Sequence, residues 1–91
     1  MSAINVFFNI DEEHVCSAIK DAIGGLDAEQ GEAVLDFSSV RRVDSAALQT
    51  LQELARVAEE KTVKIFLRGV NVDIYKVLKL AQLTSRFRFV N

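Results

Sequence analysis

The chain has 91 residues, enough for one domain around a single core but not for a deep cleft between lobes. With 49% apolar and 26% charged residues it has the balance of an ordinary globular protein, not that of a disordered or fibrous one. The net charge is −2 and basic residues cluster only as Arg41-Arg42 and Arg86/Arg88, which excludes the broad basic face that nucleic-acid binding uses.

Ala3 to Ile10 alternates, with Ile4, Val6, Phe8 and Ile10 on one side, and predicts a strand with one strongly apolar face. Asp11 to Ile23 reads as a helix. Val15, Ile19, Ala22 and Leu26 recur at three- and four-residue steps, Asp11 is a good N-cap, and Glu12 and Glu13 suit the positive end of the helix dipole. Gly24-Gly25 then supplies a left-handed stop. Ala33 to Phe37 is a short apolar run of the kind that suits a strand buried on both faces. Ser38 to Val43 is a connection.

Asp44 to Glu60 is the clearest helix. Ala47, Leu48, Leu51, Leu54, Ala55 and Ala58 form its inner stripe, and Asp44 or Ser45 caps it. Thr62 to Leu67 alternates as a strand, and Gly69 turns the chain. Asn71 caps a third helix, Val72 to Ala81, and Phe87 to Val90 closes the chain as a strand. The order β-α-β-α-β-α-β predicts an α/β domain over residues 1–91, built on a mostly parallel four-stranded sheet with three or four helices. Periodicity leaves open whether the helices cover one face of the sheet or both.

Few residues carry chemistry. Cys16 stands alone, so no internal disulfide is possible, and one Cys with one His makes no zinc site. His14 and Cys16 have no triad partner at a recognisable spacing. The glycines form neither G-x-G-x-x-G nor G-K-[S/T], so no cofactor is expected. No run spans a membrane, and Met1 to Ile10 lacks the basic start of a signal peptide. The expected location is cytoplasmic, with no direct membrane insertion.

One local feature stands out. Val34 to Leu51 reads VLDFSSVRRVDSAALQTL, which places the pair Asp44-Ser45 where a connection meets a helix start. Free backbone N–H groups and the helix dipole favour negative charge there. A phosphate on such a serine adds nearly two negative charges. Ala46 and Ala47 leave room for a close approach.

This stretch resembles the signature of the STAS family of anti-sigma factor antagonists: an apolar strand, D-[L/F]-S, a short connection, then D-S-[S/T]-G-L opening a helix. Asp36-Phe37-Ser38, Asp44-Ser45 and Leu48 fall at the family's spacing. Val77 to Leu83, followed by Phe87, looks like the family's closing helix. The similarity covers about residues 30 to 90. It implies a non-enzymatic module that docks a protein partner, an anti-sigma factor kinase or related regulator, at Asp44, Ser45, Ala46 and Ala47, with Ser38 and Arg42 alongside. Phosphorylation breaks such complexes in the family. Here the usual acceptor position is Ala46, which leaves Ser45 as the possible phosphosite. Some relatives carry their key hydroxyl at this first position, among them STAS subunits of phospholipid-transport complexes. A constitutive contact with a transporter ATPase, or a place in a signalling scaffold, is therefore the alternative.

Overall fold

The structure, a computed structural model, describes residues 4–27 and 31–90. Ala3, where the first strand was expected to begin, lies outside these. The alternating segments form β1 (Ile4–Asn9), β2 (Gly31–Asp36), β3 (Lys64–Arg68) and β4 (Arg88–Val90). Between them run α1 (Val15–Gly24), α2 (Ser45–Lys61) and α3 (Val72–Leu80). The strands pair in the order β1-β2-β3-β4, and every pair is parallel.

That order never reverses, so crossovers of one hand stack all the helices on the same face of the sheet. Burial agrees. Ala33, Leu35, Phe37, Ile65 and Leu67 are buried, whereas Glu32, Val34, Asp36 and Phe66 between them are only half-buried. The apolar run at β2, read as a strand covered on both faces, is therefore covered on one. Val34 made the run look continuous, yet it points to the open side. Ile19, Leu51, Leu54, Ile74 and Leu78 come down from the helices onto the covered face, each fully buried. Side chains of this size contribute about 1.5–3 kcal/mol apiece on burial, so this single layer holds the sheet.

The helix ends depart from expectation in three places. Asp11 caps a single 3-10 turn, Glu12–His14, through a 3.1 Å bond from the Glu13 amide, and α1 starts only at Val15. His14, with φ −139° and ψ 43°, interrupts the helical path between them. Gly25 ends α1 in the right-handed region at φ −92°, not as a left-handed stop. Its lack of a side chain serves packing, because a Cβ there would come within 3.0 Å of the Phe8 ring. The left-handed stop occurs instead at Thr62, φ 59°, after α2, which shortens the expected strand from Thr62 to a start at Lys64.

A β-branched residue in the left-handed region is strained. Thr62 is exposed, so its side chain adds little packing to offset that strain. Thr62→Gly is expected to stabilise the domain by about 1 kcal/mol, net of the greater chain entropy of glycine when unfolded. A urea titration showing a higher midpoint at unchanged slope would bear this out, and a lower midpoint would contradict it.

Candidate functional site

The second helix begins at the C-terminal edge of the sheet. Asp44 has extended backbone angles, φ −87° and ψ −179°, and its Oδ1 accepts a 2.8 Å bond from the Ala47 amide. Its carbonyl accepts from the Leu48 amide at 2.9 Å. Of the two residues expected as possible caps, the structure selects Asp44. Ser45 thus becomes the first residue inside the helix and is exposed, as is Ala46. Ala47 is buried and seats the helix on the domain. The capping bonds use the amides of Ala47 and Leu48. Those of Ser45 and Ala46 belong to the first turn, which has no preceding carbonyls to bond, and they lie at the exposed tip.

The connection from Ser38 to Val43 is held at several points. Phe37 to Val40 is a turn closed by a 2.9 Å bond from the Val40 amide to the Phe37 carbonyl, with both end side chains buried. Asp36 Oδ1 accepts from the Ser38 amide at 2.8 Å. The Ser38 hydroxyl and then its amide, helped by the charge of Arg68, hold the Asp36 carboxyl below its ordinary range. Further along, the Arg41 amide donates to Glu12 Oε1 at 2.8 Å, and the Arg41 carbonyl accepts from Asn71 Nδ2 at 3.0 Å. The start of α2 is therefore presented by a loop fastened to the β1–α1 turn on one side and to the start of α3 on the other.

Beside this helix start lies an open groove of about 720 Å³. Glu12, Glu13 and His14 form one wall, and Arg42, Asp44 and Ala47 form the other. Its lining mixes both signs: the carboxylates of Glu12, Glu13 and Asp44 share it with Arg42, an exposed cation. Such a lining suits a protein surface better than a free polyanion. The residues expected to share a site are thus only partly together. Arg42, Asp44 and Ala47 line the groove, Ser45 and Ala46 are exposed on the helix start but do not line it, and Ser38 sits apart beside Gly69. Glu12 and Asn71 were missed as site-building residues. Both had been read as local helix-start residues, and nothing local signals a partner about thirty positions away.

In open parallel sheets, enclosed ligand crevices form where the strand order reverses. This order does not reverse. The class so defined is a small one-sided parallel α/β domain that presents an exposed, polar helix start. A family model described as "Mlab, STAS domain" matches residues 10–89. The chain belongs to the STAS domain family.

Solved structures agree in fold. A SulP transporter STAS domain from Vibrio cholerae superposes with a TM-score of 0.74 at 13% identity, covering 99% of this chain and 76% of that one. A sulfate transporter family protein from Wolinella succinogenes gives 0.76 at 16% identity, covering 97% and 80%. A putative anti-sigma factor antagonist from Thermotoga maritima gives 0.69 at 18% identity, covering 100% and 76%. At these identities the likeness is one of fold. No curated protein matches the sequence. Among the described residues, no helix is long and apolar enough to cross a membrane.

Proposed function

We propose that this STAS domain is a regulatory protein-binding module without a catalytic site, and that its partner docks on the exposed start of α2. The carrying observation is that Asp44 takes over the cap, which leaves Ser45 and Ala46 uncovered at the helix tip. Ala46 offers a small surface for close contact, Arg42 and Asp44 supply charge of both signs, and Ser38 stiffens the turn leading in. The family resemblance points to a cytoplasmic anti-sigma factor kinase or related regulator as the partner. Ser45 is the hydroxyl at which a phosphate would break the contact. The anion would remain tolerable to the helix dipole and intolerable to a packed interface.

The test compares wild type with Ser45→Asp for binding to a panel of candidate kinases. An acidic residue in a first helical turn is favourable to the fold by about 0.3–1 kcal/mol, so the variant stays folded. Its affinity is expected to fall about 10–100-fold, since a charge is being pressed into a close contact. Equal binding by both proteins, or none to any kinase, would remove the switch.

A second reading has its own support. Ala46, exposed beside Ser45, has no hydroxyl where antagonists of the family usually carry one. A permanent contact with a transporter ATPase needs none, and two of the structural neighbours are transporter-associated. Under this reading Ser45→Ala leaves a stoichiometric complex intact, and Ala46→Glu disrupts it.

A further inference from the structure

All-parallel sheets are almost always covered on both faces. Here the helices cover one. Across the other face the strand register aligns a row, Phe7–Val34–Phe66–Arg88. Phe7 is 54% exposed, while Val34 and Phe66 are half-buried. On either side of that row lie two in-register charge pairs, Glu32 beside Lys64 and Asp36 beside Arg68. The acids are both on β2 and the bases both on β3. The face is therefore divided along the strand direction into an acidic and a basic column, with an apolar band across the middle.

This division is self-complementary. A two-fold axis running along the strands between β2 and β3 lays the β2 of one copy over the β3 of another. Glu32 then meets the second copy's Lys64, Asp36 meets its Arg68, and Val34 meets its Phe66. Phe7 meets the second copy's Arg88, a cation over an aromatic ring. Each cross-strand pair becomes a four-charge cluster of alternating sign. An axis at right angles to the strands does the opposite: it sets Glu32 against Asp36 and Lys64 against Arg68, like against like. Aligned sheet packing at about −30° is compatible with the first arrangement and keeps the columns opposed.

We infer that the open sheet face is the contact surface of a homodimer, with its two-fold axis parallel to the strands. The patch is small. The strands have six, six, five and three residues, and at about 4.8 Å by 3.3 Å per residue they span roughly 300 Å² of plane. A stable interface takes about 800 Å² per partner. The dimer is accordingly weak, with a dissociation constant around 100 μM. The start of α2 lies at the sheet edge and stays free in it, so both copies can dock the partner proposed above.

Sedimentation velocity of the full chain, from about 10 μM to about 1 mM, brackets that constant. Wild type is expected to shift from monomer to dimer across the range. Lys64→Glu with Arg68→Glu makes all four charges acidic, and Glu32→Lys with Asp36→Lys makes them all basic. Each protein alone is expected to stay monomeric, its dimer weakened at least about tenfold. Mixed, the two are expected to form a heterodimer tighter than the wild-type dimer. Phe7→Ser, at a mostly exposed position, tests the same contact without touching the charges, and should also weaken it at least about tenfold. Circular dichroism identifies any variant that has not folded. A wild type that stays monomeric at the highest concentration overturns the inference, as would occur if this face serves a different protein. Folded charge variants that dimerise like wild type, or that fail to pair when mixed, overturn it as well.

Discussion

Gly69→Ala is expected to destabilise the domain by about 2–4 kcal/mol, through backbone strain and overpacking together. Gly69 follows β3 with φ +72°, a region where a side chain is strained whatever the surroundings. Here the surroundings are also closed. A Cβ at this position would run into the Ser38 Oγ and would stand only 3.1 Å from the Ser38 Cα and 3.2 Å from its Cβ. Relief would require the Phe37–Val40 turn to move, and the buried side chains at both its ends resist that. The measurement is a chemical unfolding curve. Adding Ser38→Gly to Gly69→Ala removes the Oγ and Cβ and leaves only the Cα in the way, so the double variant should recover about 1 kcal/mol relative to the sum of the two single changes. Strict additivity would mean that the Ser38 side chain contributes nothing to the cost.

The second large effect concerns Asn71. Its Oδ1 accepts from the Ile74 amide at 2.8 Å and caps α3. Its Nδ2 donates to the carbonyls of Arg41 at 3.0 Å and Val40 at 3.4 Å. Asn71→Ala loses the cap and the donor together, an expected cost of about 2–3 kcal/mol. Asn71→Asp separates the two roles: it keeps an acceptor at the helix start but sets a carboxylate against two carbonyl oxygens. Its stability should fall by only about 1 kcal/mol, the cap being retained. Amide exchange should nonetheless accelerate in the Arg41–Val43 segment, and binding at the start of α2 should weaken. If Asn71→Asp left exchange there unchanged, Asn71 would be a cap and nothing more.

These two residues mark the limit of what local pattern reveals. The 17-residue α2 was legible because its apolar positions recur at helical spacing, and Asp44 because caps are local. Asn71 was legible as a cap for the same reason. Its second role was not, because the bond to Arg41 joins residues 30 positions apart. Glu12 was read as an acid suited to a helix start, and its bond to the Arg41 amide spans 29 positions. At Gly24-Gly25 the residue type was informative and the reason was not. The glycine answers to the Phe8 ring across the fold, while Thr62, with no composition signal, takes the left-handed position.

By itself the sequence determined the seven-part rhythm of strands and helices, the inner stripes of the helices, and the polar helix start that carries the STAS resemblance. Each of these depends on side chains within a turn or two of one another, where periodicity and capping act. Only the tertiary structure decided that the strands run in unbroken order, that all helices lie on one face, and that Glu12 and Asn71 fasten the loop before Ser45. Those outcomes depend on which distant segments pair. A strand's alternation states that it has two faces but not what, if anything, covers the second.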